Sequence, residues 1–209
     1  MQNFFTQIKH KFGLLDPSEE QKFLQNEAKQ LEAAQCKQCH EYRDWVLANS
    51  PTVRFLQQEV NKIGGNINEN NIVCAQCDDM KSGGFNQQLG ILLCQDKLGS
   101  RRHLEDTLAH ELVHAYDYCR FDVDFLNLKH HACSEIRAST LSGECTMLNE
   151  FFRLNFKANR GLQACARRRA ILSVKSNPNC KDEAQATAAV NAVFEHCFND
   201  TRPFDEVYR

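Results

Sequence analysis

Residues 108–115, Leu-Ala-His-Glu-Leu-Val-His-Ala, constrain this chain more than any other stretch. Apolar residues surround two histidines four positions apart, and positions i and i+4 share one face of a helix. Such a helix belongs in a protein interior, where polar groups without partners are costly. His110 and His114 can converge on one ion, since zinc accepts neutral imidazole nitrogen at about 2.0–2.1 Å. Glu111 then lies beside the ion without being a ligand, placed to take a proton from an attacking water. Random ordering of this composition would produce the pattern on the order of 0.02 times per chain. The competing reading is a solvated helix with two incidental histidines.

A catalytic zinc takes three protein ligands and keeps one position open. Downstream candidates are Asp117, Asp124, His130, His131, Glu135 and Glu144. Glu135 is the expected third ligand, because it begins a second helix whose apolar side is marked by Ala132, Ile136, Leu141, Cys145 and Leu148. Zinc peptidases built on two helices place a glutamate at about this distance. Asp117, one turn beyond His114, is expected to orient that imidazole instead. Tyr116, Tyr118, His130 and His131 remain open as donors to the developing oxyanion.

The surrounding pattern predicts an α+β chain, with a small β-hairpin followed by a mostly helical remainder. Asp16-Pro17-Ser18-Glu19-Glu20 is a helix start, running to about Ala48. Ser50-Pro51 resets it, Val53, Leu56, Val60 and Ile63 continue at helical spacing, and Gly64-Gly65 ends it. Residues 66–71 are expected to be loop. Ser82 to Phe85 and Leu89 to Cys94 form two hairpin arms about a turn at Asn86 to Gln88. Leu89 to Leu93 is the natural edge strand, against which an extended peptide could add, or else a plain core strand. Helices are expected over Leu104 to Cys119, His130 to Phe156, Leu162 to Val174 and Asp182 to Phe198, with Asn177-Pro178-Asn179 separating the last two. The Arg167-Arg168-Arg169 run is expected to be a solvated helix face. Two regions result: a helical one over residues 1–70, and a metallopeptidase domain over residues 71–209.

A net charge of −2 gives no reason to expect nucleic acid as a partner. No apolar run approaches membrane-spanning length, and Met1 to Lys11 holds neither a signal-like apolar run nor an arginine. A soluble or membrane-peripheral protein is expected. Eleven cysteines are many for a reducing compartment. Cys36-x-x-Cys39 with Cys74-x-x-Cys77 could build a four-thiolate zinc site, but the first pair lies in a helical run without a Gly or Pro knuckle. The other seven are dispersed, which favours disulfides in an oxidising compartment and leaves at least one thiol free.

The segments Ser82 to Phe85, Leu92 to Gln95, His110 to Arg120, Ala132 to Ala138 and Leu141 to Cys145, with Glu195-x-Cys197-Phe198-Asn199-Asp200 and Pro203-Phe204, resemble a known family. It is that of the zincin-like mitochondrial inner-membrane metalloproteases that process and help assemble ATP synthase, whose animal members also carry a Ku-binding label. The resemblance covers about Cys74 to Phe204, and the first 70 residues match poorly. It implies a peripheral protein on the intermembrane-space side of the inner membrane, with largely oxidised cysteines. It further implies removal of the presequence of ATP synthase subunit 6 and help in assembling the membrane (Fo) sector, with one Zn2+ held by His110 and His114 and with Glu111 catalytic. The alternatives are an assembly chaperone whose proteolysis is dispensable or lost, and a nuclear protease associated with DNA repair.

Overall fold

Local chemistry sets the helix boundaries. The computed structural model describes residues 4–78, 80–145 and 161–205. A short helix α1 (Phe4–Lys11) precedes α2 (Pro17–Asn49), where Asp16 accepts hydrogen bonds from the amides of Ser18 and Glu19 and Glu19 reaches back to the Asp16 amide. Ser50 ends α2, and its hydroxyl caps α3 (Pro51–Lys62) while donating to Glu105 at 2.6 Å. A single 3₁₀ turn, Glu69–Asn71, lies within the stretch expected to be loop.

Three strands follow: β1 (Ile72–Ala75), β2 (Gly83–Asn86) and β3 (Gly90–Cys94). Their order is β1-β3-β2, with β1 parallel and β2 antiparallel to β3. The expected hairpin is therefore present, but the expected edge strand is not at the edge. The Leu89 to Leu93 arm becomes the central strand, because Ile72–Ala75 pairs on its far side, and β1 and β2 are the two edges. Gly90 makes the hairpin possible. Its φ is +99°, and a Cβ there would lie 2.1 Å from the Asn71 carbonyl oxygen.

Ser100 caps α4 (Arg101–Arg120), Asn127 caps α5 (Leu128–Leu141), and α6 (Gly161–Lys175) and α7 (Glu183–Asn199) complete the described chain. Helix α5 stops earlier than the apolar spacing suggested. Gly143 takes φ +87° and turns the chain at Ser142-Gly143. Residues 146–156 of that expectation fall outside the described residues.

Two apolar clusters result. The first joins α2, α3, the sheet and α4 through Val46, Val53, Leu56, Ile72, Leu93, Leu104, Leu108 and Leu112. The second joins α5, α6 and α7 through Ile136, Ala166, Ala170, Val190 and Phe194. Four disulfides reinforce them. Cys39–Cys74 ties α2 to β1 and Cys77–Cys94 closes the strand region, while Cys133–Cys197 and Cys145–Cys165 bind the second cluster. The four-thiolate site is thereby excluded: Cys39 and Cys74 bond each other, Cys77 bonds Cys94, and Cys36 is free, as are Cys119 and Cys180. Helices α4 and α5 meet where the clusters join. No helix among the described residues is long and apolar enough to cross a membrane.

Candidate active site

Helix α4 is buried along most of its length, including Leu108, Ala109, Leu112, Val113 and Ala115, which removes the solvated-helix reading. From it His110 and His114 bring their Nε2 atoms to 3.0 Å of each other. Across the interface α5 supplies Glu135, whose carboxylate oxygens stand 3.6 Å from His110 Nε2 and 3.3 Å from His114 Nε2. These three residues form the one group among the described residues with donor atoms close enough to hold a metal ion. Separations of 3.0, 3.3 and 3.6 Å bracket the roughly 3.3 Å edge of a tetrahedron with zinc-length arms.

The other imidazole nitrogens are already engaged. His110 Nδ1 is 2.9 Å from Glu144 Oε1, and Glu144 is gripped in turn by the Arg169 guanidinium at 2.7 and 2.6 Å. Burial pushes the Glu144 carboxyl up, but His110 and Arg169 outweigh it and hold it at about 2. An ionised carboxylate only accepts, so His110 Nδ1 must donate, and a neutral imidazole then presents a bare Nε2 lone pair inward. His114 Nδ1 meets the Ser134 hydroxyl at 2.8 Å.

Electrostatics point the same way. Glu111, Glu135 and Glu144 are all buried around the two imidazoles, and Arg169 pairs with Glu144, so the site is rich in carboxylates. A cation would be favoured there, and two nitrogens with one carboxylate are donors that zinc accepts. The donor set fits the metal. Burial disfavours charge on His110, yet Glu144 and Glu135 hold its pKa well above the ordinary value. Burial likewise raises Glu135, but His114 and the hydrogen bonds of the imidazoles bring it well below the ordinary range. Glu111 ends on the other side: burial raises its carboxyl, and His110 and His114 offset this only in part.

Glu111 lies one position from His110 and packs against the edge strand, its Cγ 3.5 Å from where a Cβ on Gly83 would stand. The edge of β2 therefore borders the cluster. Aromatic rings continue the wall: Phe125 stands edge-on to His114 at 6.0 Å between centroids, and Phe85 faces Tyr118 at 6.0 Å. Phe85, Asn86, Gln87, Gln88 and Phe125 line a hollow beside it.

Of the remaining sequence candidates, His131 reaches the cluster, with Nε2 3.5 Å from Glu135 Oε1. Ser173 and Asn177 hold its ring. His130 instead accepts the Asp124 amide, and Asp124 caps the amide of Leu126. Tyr116 is buried against Phe121. Asp117 does not touch His114: Ser134 stands between them, and Asp117 is held by Arg137 at 2.9 and 3.2 Å. Sequence reasoning missed Ser134, Arg137 and Arg169, and it took Glu144 for a candidate ligand rather than a partner of His110. The arginine run is not a uniform solvated face either, since Arg169 grips Glu144 and Arg167 stacks over Phe194 at 3.6 Å. No residue spacing announces these contacts.

A buried helix carrying two imidazoles and a carboxylate beside a sheet edge, completed by a glutamate from a second helix, defines an α+β hydrolase of the metallopeptidase class. The chain belongs to the Peptidase M76 family, whose sequence profile matches residues 37–205. Its relatives include proteins named mitochondrial inner membrane protease ATP23. That of Yarrowia lipolytica is 56% identical over 201 residues, spanning 96% of this chain and 80% of the relative. That of Candida glabrata is 57% identical over 185 residues, with shares of 84% and 82%. A Saccharomyces cerevisiae relative is 49% identical over 211 residues, with shares of 97% and 93%. No solved structure matches this chain.

Proposed function

We propose that this peptidase is a zinc-dependent endopeptidase acting peripherally at the mitochondrial inner membrane, on the intermembrane-space side. Its substrate in this reading is the precursor of ATP synthase subunit 6, and it also assists assembly of the Fo sector. His110, His114 and Glu135 are the ligands and Glu111 the catalytic carboxylate. The machinery lies in residues 71–209, framed by the helices of residues 1–70. Four disulfides suit an oxidising compartment, and the relatives' names supply the membrane.

When bound, the metal supplies Lewis acidity toward the scissile carbonyl and its attacking water. Glu111 takes the proton of that water, and its burial-raised proton affinity suits a base that must hold the proton until the leaving nitrogen accepts it. The substrate runs as an added strand along β2, the edge that Gly83 brings against Glu111.

The observation that carries this reading is the convergence of three buried donors from two helices, with Glu111 alongside. Glu111→Gln keeps the shape and is expected to bind zinc as the natural protein does while cleavage falls about 100-fold or more. Equal cleavage of a subunit 6 precursor by both proteins would refute the peptidase roles. Restored ATP synthase assembly by the same variant would separate the assembly role from cleavage.

A further inference from the structure

The strongest polar contacts of the site that the proton-transfer scheme leaves unused run outward from His110. Its Nδ1 meets Glu144 at 2.9 Å. Glu144 is 6% exposed, and both its oxygens are taken by the guanidinium fork of Arg169, Nε to Oε1 at 2.7 Å and Nη2 to Oε2 at 2.6 Å. Arg169 comes from α6, a helix that supplies neither His110 nor Glu135. What brings it there is visible in the covalent structure. Glu144 immediately precedes Cys145, which is bonded to Cys165, and Arg169 stands four residues beyond Cys165 on the same helix face. The bond holds the two Cα atoms 5.7 Å apart, so the carboxylate and the guanidinium are anchored to opposite ends of one cross-link. The turn at Gly143, with φ +87°, directs Glu144 back toward α4.

We propose that Glu144 and Arg169 are positioning residues for the metal ligand His110, and that the Cys145–Cys165 bond keeps this pair assembled, so that the site's hold on its cation depends on that disulfide. The inference rests on the metal reading of His110, His114 and Glu135. A carboxylate behind a ligating imidazole fixes its ring orientation and tautomer and makes the nitrogen facing the metal a better donor. Glu144 supplies the carboxylate, Arg169 prevents it from turning away, and the cross-link limits how far α6 can withdraw.

Zinc affinity measured by competition with a chelating dye tests this, with melting of the metal-free protein as the control for folding. Glu144→Gln and Arg169→Gln are expected to weaken zinc binding about 10–100-fold in proteins that, though less stable, are still folded without metal at the temperature of the titration. The Cys145→Ser/Cys165→Ser protein is expected to show a loss of similar size. In the Glu144→Gln background the same serine pair costs no further affinity, because it acts through Glu144. Cys39→Ser/Cys74→Ser, which opens a cross-link between α2 and β1 that carries neither Glu144 nor Arg169, leaves zinc affinity as it was. If the natural protein binds no zinc, the metal reading itself fails. If it binds zinc and the Glu144 and Arg169 variants bind within twofold of it, the positioning role is overturned. Full additivity of the serine pair with Glu144→Gln would overturn the part assigned to the disulfide.

Discussion

Arg137 is the largest fully buried side chain in the described protein, and Arg137→Met removes its guanidinium while keeping most of its volume. Three partners depend on that group. Nε donates to both carboxylate oxygens of Asp117, Nη1 to the Asp200 carbonyl at 2.8 Å with the Asp200 carboxylate at the same distance, and Nη2 to the Arg202 carbonyl. Asp117 is 1% exposed, so the variant leaves it without a counter-ion and without water. Removing one member of a buried pair in this way costs about 3–5 kcal/mol. At about 2–4 °C per kcal/mol for a chain of this size, the melting temperature should fall by roughly 6–20 °C. Calorimetry of the oxidised protein would measure it. The deficit also carries a pH signature. Burial already raises the Asp117 carboxyl against the pull of Arg137, and loss of the arginine raises it further. A carboxyl with a raised folded-state pKa loses stability as pH rises through that value, so the variant should be less impaired in mild acid than at neutral pH. Asp117→Asn in the methionine background should recover part of the loss. A fall below about 3 °C at neutral pH, or a further loss on adding the asparagine, would refute the reasoning.

Other changes probe separate features. Gly90→Ala forces a side chain into φ +99° and against the Asn71 carbonyl, so it should destabilise by more than the roughly 1–3 kcal/mol of ordinary overpacking, read as a lower denaturant midpoint. Losing Cys39–Cys74, which closes 35 residues, should cost about 3–4 kcal/mol in the paired serine variant, measured by equilibrium unfolding. Glu144 and Asp200 sit at about 2, below their ordinary 4.5 and 3.8. Their contribution is therefore present above about pH 4.5 and lost as pH falls toward about 2, and Glu144→Gln with Asp200→Asn should flatten that part of the unfolding profile. Ser134→Ala withdraws the hydroxyl at His114 Nδ1, and zinc affinity should drop about 10-fold in a chelator titration.

Much of this protein is legible in its residue order because the signals are local. Asp16-Pro17 and Ser50-Pro51 cap helices where they stand, and turn residues mark the hairpin between Phe85 and Gly90. The four-residue spacing of His110 and His114 places them on one helix face whatever surrounds them, and an apolar setting for charged residues forecasts burial. Glu135 was expected to open the next helix, but α5 begins at Leu128 and Glu135 stands in its middle, where the helix faces His110 and His114. Tertiary structure alone decided the rest, because partners distant in sequence leave no spacing to read. Parallel pairing of Ile72–Ala75 with the hairpin made Leu89 to Leu93 central and gave β2 the edge beside Glu111. Which cysteines meet depended on how α2 crosses β1 and how α5 lies on α7. The packing of α6 turned Glu144 and Arg169 from two surface-type charges into the buried support of His110, a contact that exists only where three helices converge.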